Sequence, residues 1–144
     1  MIVFSSGCVI IKKLNLMKKK ILVVDDDESV AGTVKLLLES TNNYQVKILS
    51  QAKDILTHVH AFKPDVILLD LLMPDIGGFE VCEMLDNDAV GMGTPIIVIS
   101  GLDKDVDKVK AYKLGIVDYL VKPITKNDLV ASVEKAIKSK EQKD

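Results

Sequence analysis

The chain has 144 residues, about one domain at roughly 150 residues each, and a chain of this size buries roughly 68–70% of its unfolded surface, enough for a core without staples. Apolar residues make up 48%, only 4% are aromatic and none is Trp, so Val, Ile and Leu carry the core and intrinsic disorder is excluded. Nineteen Lys and Arg against 21 Asp and Glu leave a charge of −2, which argues against a generic nucleic-acid binder, and two cysteines, Cys8 and Cys82, are too few for a disulfide scaffold or a four-ligand zinc site.

The first residues stand apart. Met1 to Ile11 is mostly apolar and Lys12-Lys13 follow it. That stretch is too short to span a bilayer, and a signal peptide carries its positive charge before the apolar run. Met17 followed by Lys18-Lys19-Lys20 makes a plausible beginning. Residues 1–17 are therefore expected to be an extension, disordered or non-native, with Cys8 outside the fold.

From Lys20 the pattern becomes regular. Ile21 to Val24 is a β-branched apolar run that ends in acid at Asp25-Asp26-Asp27. Ser29 to Ser40 places Val30, Val34, Leu37 and Leu38 on one helical face, with Asp27 as N-cap, and Asn42-Asn43 stops it. Gln45 to Leu49 alternates weakly, as an edge strand does. Ala52 to Phe62 reads as a second helix, closed by Lys63-Pro64. Val66 to Leu69 is a second fully apolar run and again ends in acid, at Asp70. Gly77-Gly78 opens a helix through Leu85 with Phe79, Val81, Cys82 and Leu85 as core residues. Asn87 to Thr94 is loop. Ile96 to Ile99 is a strand ending at Ser100. Asp103 to Leu114 is a polar helix stopped by Gly115. Asp118 to Val121 is the last strand, Lys122-Pro123 turns the chain, and Thr125 with Asp128 forms a capping box for a helix to about Lys138.

Five strands thus alternate with five helices over short connections, which makes the sheet parallel. Strands that are apolar without alternation are covered on both faces. The fold class is α/β, a three-layer doubly wound five-stranded parallel sheet. One domain over residues 18–140 is expected, with 141–144 as a charged tail.

In such sheets ligands gather beyond the carboxyl ends of the strands. Asp25-Asp26-Asp27, Asp70, Ser100 and Lys122 all sit there. Crowded carboxylates repel one another, and a hard divalent cation relieves the conflict, as Mg²⁺ does with one or two carboxylates and phosphate oxygens. A lysine pairs with phosphate or carboxylate, a hydroxyl bonds a phosphoryl oxygen, and a carboxylate can itself become phosphorylated. Each residue alone has a bland reading as a solvated or capping group. Their joint occurrence at four strand ends does not. His58 and His60 lie two apart on one helix and do not face each other, so they read as surface residues. Cys82 reads as a buried, inert thiol.

From about Lys19 to Lys138 the chain resembles the receiver domain of two-component response regulators. The resemblance rests on Ile21-Leu22-Val23-Val24-Asp25-Asp26-Asp27, on Pro64-Asp65-Val66-Ile67-Leu68-Leu69-Asp70-Leu71-Leu72-Met73-Pro74, on Gly77-Gly78, on Pro95-Ile96-Ile97-Val98-Ile99-Ser100 and on Asp118-Tyr119-Leu120-Val121-Lys122-Pro123. It implies a flavodoxin-like strand order 2-1-3-4-5. It further implies that Asp70 accepts a phosphoryl group from a sensor histidine kinase or phosphotransfer protein. Asp26 would be a direct ligand of Mg²⁺ (or Mn²⁺), Asp25 its partner through water, and Leu72 a ligand through its carbonyl. Ser100 would be the switch hydroxyl, Lys122 its lysine partner and Tyr119 the switch aromatic. The readout would be a population shift on the face of the fourth helix, fifth strand and fifth helix, passed to an output protein or domain, and a phosphorylation-dependent homodimer is compatible with this. A cytoplasmic setting, no membrane association and no direct nucleic-acid contact are expected. The chain would be a switch rather than an enzyme, catalysing only its own phosphorylation and dephosphorylation. By the same resemblance Leu72 and Leu102 would flank the path of hydrolytic water, where apolar bulk is expected to slow loss of the phosphoryl group.

Two other readings compete. A haloacid-dehalogenase-type phosphatase would use Asp25 as nucleophile in Asp25-Asp26-Asp27, but it leaves Asp70 without a role and lacks an acidic motif after the lysine. A pseudo-receiver, never phosphorylated, would be an interaction module only.

Overall fold

The computed structural model describes residues 18–143, so the expected extension over 1–17, Cys8 and residue 144 lie outside the described residues. In chain order the elements are β1 (Lys19–Val24), α1 (Glu28–Glu39), β2 (Tyr44–Leu49), α2 (Ile55–Phe62), β3 (Val66–Leu69), α3 (Gly78–Asp86), β4 (Ile96–Ser100), α4 (Asp105–Lys113), β5 (Asp118–Val121) and α5 (Lys126–Lys143). A 3₁₀ turn, Gly91–Gly93, interrupts the loop before β4. The sheet is parallel throughout, in the order β2-β1-β3-β4-β5, so β2 is an edge strand as its weak alternation suggests.

Successive residues of a strand point to opposite faces, and here both faces are covered. Leu22, Val24, Ile67, Leu69 and Val98 join Ile55, Val59, Val81, Cys82 and Leu85 on one side. Ile21, Val23, Val66, Leu68, Ile97 and Ile99 join Ala31, Val34, Leu38, Leu129 and Val133 on the other. This is why the strands read as unbroken apolar runs.

The caps behave as their residue types dictate. Asp27 accepts from Ser29 N and Val30 N at the start of α1, and Thr125 Oγ1 accepts from Asp128 N at 3.1 Å at the start of α5. Gly115 has φ +91°, a conformation open to glycine, and α4 stops just before it. Three boundaries differ from the sequence expectation. Residues 52–54 form a turn rather than the first turn of α2, with Lys53 N donating to Asp75 Oδ2 at 2.9 Å. Helix α4 begins at Asp105, since Asp103 stands outside it and pairs with Lys108 at 2.9 Å. Residues 141–143, expected as a tail, continue α5, whose outer turns are held by Lys140 against Asp65 at 3.6 Å and Glu141 against Lys19 at 4.0 Å.

Candidate functional site

The central strands deliver the carboxylates side by side. Val24 pairs with Leu69, and Asp70 N donates to the Val24 carbonyl at 3.0 Å, so Asp25 and Asp70 emerge together. Asp25 is 4% exposed and Asp70 6%, whereas Asp26 is exposed. One oxygen from each of Asp25, Asp26 and Asp70 lies within 4.8 Å of the others, an arrangement that could hold a metal ion. Each buried carboxylate is also fixed by backbone. Asp25 Oδ1 accepts from Asp27 N at 2.9 Å and Asp70 Oδ1 from Leu72 N at 3.1 Å.

Lys122 completes the cluster. Its backbone N–H donates to the Ser100 carbonyl at 2.9 Å, continuing the β4–β5 ladder, and the peptide bond to Pro123 is cis. Its Nζ lies 3.1 Å from Asp25 Oδ2 and 3.5 Å from Asp70 Oδ2. Burial works against its charge, but the two carboxylates outweigh burial and hold its pKa above the ordinary lysine value. Asp70 is displaced upward. Burial is the chief cause and Asp25 adds to it, while the Leu72 N–H and Lys122 oppose. One ammonium faces three carboxylates, so the cluster remains short of positive charge. Hard oxygen donors around that deficit suit a divalent cation.

Ser100, fully buried at the end of β4, accepts from Leu102 N through Oγ at 3.2 Å. The Tyr119 ring is buried, and its hydroxyl donates to the Leu102 carbonyl at 2.8 Å. Burial raises the phenol's pKa and the neighbouring Ser100 hydroxyl opposes this. Sequence reasoning thus assembled Asp25, Asp26, Asp70, Lys122, Ser100 and Tyr119; the structure brings the first five to one end of the sheet, while Tyr119 lies within β5 beside Val98 and reaches toward that end through its hydroxyl on Leu102. Leu72 is there too, 57% exposed.

Other features were legible only in part. A Cβ on Gly78 would lie 2.5 Å from Leu71 Cα and 2.9 Å from the Asp70 carbonyl oxygen, so α3 approaches the Asp70 backbone as only glycine allows. The Gly77-Gly78 pair is the only sequence signal for it. His60, read as a surface residue, is exposed but meets both Asp88 oxygens at 2.9 Å, across 28 residues that no local pattern links. Cys82 is buried at 1% exposure, and burial pushes its thiol up to about 11. No helix among the described residues is long and apolar enough to cross a membrane.

Comparison with known proteins converges on one group. The profile of the response regulator receiver domain matches residues 21–134. The DNA-binding response regulator MtrA of Mycolicibacterium smegmatis is 33% identical over 128 residues, which are 89% of this chain and 54% of that protein. The alkaline phosphatase synthesis transcriptional regulatory protein PhoP of Bacillus subtilis is 35% identical over 125 residues, 87% of this chain and 51% of that one. The chain therefore spans about half the length of the curated relatives it matches. Among solved structures, a CheY-like receiver domain protein of Methanospirillum hungatei superposes with a TM-score of 0.80 at 26% identity, covering 88% of this chain and 99% of its own. The BeF3-activated DrrB receiver domain gives 0.74 at 31% identity, covering 85% and 99%. The expected lack of nucleic-acid contact gains no support here, because the MtrA relatives are named as DNA-binding.

Proposed function

The chain belongs to the response regulator receiver domain family of two-component systems, and from that premise we propose that Asp70 is its phosphoacceptor, with a histidine kinase or a phosphotransfer protein as donor. One Asp70 oxygen attacks the phosphorus of a phosphohistidine. The P–O bond forms as the P–N bond breaks, and the imidazole leaves with the electron pair and takes up a proton. The observation that carries this reading is the buried Asp70 carboxylate beside Asp25, with the single Lys122 ammonium 3.1 and 3.5 Å from the pair.

The remaining residues position and neutralise, which is most of what phosphoryl transfer requires. Asp26 and Asp70, with the Leu72 carbonyl and Asp25 through water, would hold Mg²⁺ or Mn²⁺. When bound, the cation supplies charge neutralisation at the phosphoryl oxygens. Lys122 exchanges a carboxylate for a phosphoryl oxygen. Ser100 leaves its contact with Leu102 N and donates to another, and Tyr119, held to the same Leu102 by its hydroxyl, follows that loop. A phosphoryl group brings nearly two negative charges to the spot, enough to draw both loops. The affected face, α4, β5 and α5, is then the surface read by an output protein or domain, in a cytoplasmic setting, and it can also pair two phosphorylated copies. The relatives' DNA-binding names suggest transcriptional output through residues other than these.

Incubation of the full chain with labelled acetyl phosphate and Mg²⁺ tests the reading. Stoichiometric, hydroxylamine-sensitive label is expected on the wild type and none on Asp70→Asn. Label persisting on Asp70→Asn overturns the assignment. Sustained turnover of a generic phosphate ester would favour the phosphatase reading instead.

A further inference from the structure

At the far end of β5 from Lys122, one carboxylate collects donors from three elements. Asp118 Oδ1 accepts from the Tyr112 hydroxyl of α4 at 3.2 Å and from Tyr119 N at 3.0 Å, and its Oδ2 accepts from the Ser132 hydroxyl of α5 at 2.9 Å. Ser132 is 3% exposed, so this bond is what satisfies its hydroxyl. Tyr119 extends the set, because its own hydroxyl reaches the Leu102 carbonyl and Leu102 N reaches Ser100 Oγ. Contacts therefore run without a break from the buried Ser100 to the exposed helix α4.

Helix α4 needs such a tie. Ala111 is its one buried residue, while Val106, Val109 and Tyr112 face solvent. Beyond the Tyr112 bond, the side-chain polar contacts along it among the described residues are Lys110 over the Phe79 ring at 4.2 Å and Lys108 with Asp103. An element with so little buried surface opens locally at low cost, and a single hydrogen bond is then a large part of what holds it.

We propose that Asp118 is a coupling latch, fixing α4 to β5 and α5 through Tyr112 and Ser132 and letting the Ser100–Leu102 loop set, through Tyr119, how firmly α4 is held. The latch follows from these contacts alone; only the event that moves Ser100 rests on the function proposed above. Occupancy of one site changes the other only if both bias the same element, and the effect is reciprocal.

Amide hydrogen exchange on the full chain tests this in two arms. In the first, without phosphodonor, wild type, Tyr112→Phe, Tyr119→Phe and the double variant are compared. Tyr112→Phe is expected to speed exchange in α4 by about two- to tenfold, the range of one net hydrogen bond, with β1 and β3 unchanged. Tyr119→Phe is expected to speed it in the wild-type background and to add nothing once Tyr112 is Phe. Unchanged α4 exchange in Tyr112→Phe, or effects of the two substitutions that simply multiply, overturns the latch. In the second arm acetyl phosphate and Mg²⁺ are added. Tyr112→Phe is expected to take label on Asp70 while its α4 exchange no longer responds to labelling as the wild type's does; an undiminished response overturns the coupling. A wild type that takes no label overturns the phosphoacceptor reading instead, and the latch is decided by the first arm.

Discussion

At Asp70 the demands of chemistry and of stability conflict. The phosphoryl transfer proposed for it would require the carboxylate, yet burial raises its pKa, with Asp25 adding to the shift and the Leu72 N–H and Lys122 opposing it. The folded chain therefore keeps this proton to a higher pH than the unfolded chain does. Stability from this group falls as pH climbs from the ordinary carboxylate range through the raised value. Asp70→Asn should then melt above the wild type at neutral pH without divalent cations, and the difference should close in acid, where both side chains are neutral. A thermal melt at the two pH values checks this, and an amide variant no more stable at neutral pH would refute it. Next to it, Leu72 presents an exposed apolar side chain while its N–H holds the Asp70 carboxylate. Leu72→Asn leaves that backbone bond in place and offers hydrolytic water a partner. One added hydrogen bond in the transition state is worth about 1 kcal/mol, so the phosphoryl lifetime should shorten about fivefold. An unchanged half-life after removal of the donor contradicts this. Cys82 illustrates the opposite lesson, since its helical neighbours already marked it as core and it is buried.

Among the elements, two helix glycines separate a structural requirement from a tolerated one. Gly78 begins α3 against the backbone of Leu71 and Asp70, with its N–H on the Leu71 carbonyl at 3.1 Å. A methyl group there forces backbone apart, so Gly78→Ala should lose about 1–3 kcal/mol, the usual cost of overpacking, and should reduce labelling of Asp70 because its loop shifts. Gly32, inside α1, has open space where its Cβ would be. Gly32→Ala should gain about 0.5–1 kcal/mol from helix propensity alone. Denaturant unfolding of both variants is the check, and a Gly78→Ala as stable as the wild type would show that the loop yields. Helix ends were harder to read than helix existence. The turn at Ala52 carries a bond from Lys53 N to the distant Asp75, and Asp103 ahead of α4 pairs with Lys108 on the helix, neither of which a local apolar pattern registers.

For the molecule as a whole, the alternation of apolar runs with helical periodicity was enough to establish five parallel strands, with β1, β3 and β4 covered on both faces, because burial on two sides leaves no polar position along those runs. The acids, hydroxyl and lysine at the strand ends were legible for the same reason: a charge abruptly ending a buried run marks the edge of the sheet. Strand order came from resemblance rather than periodicity, since any permutation of the strands buries the same residues. Lys122, 97 residues from Asp25 yet 3.1 Å away, was already placed with it by the strand ends. What tertiary structure alone decided was which distant groups outside that site meet: His60 finds Asp88, and Asp118 joins Tyr112 to Ser132. Local sequence dictates which face of an element is apolar and where it stops. The pairing of polar side chains across elements depends on the separation and angle at which those elements pack, and that is settled only when the whole chain has closed.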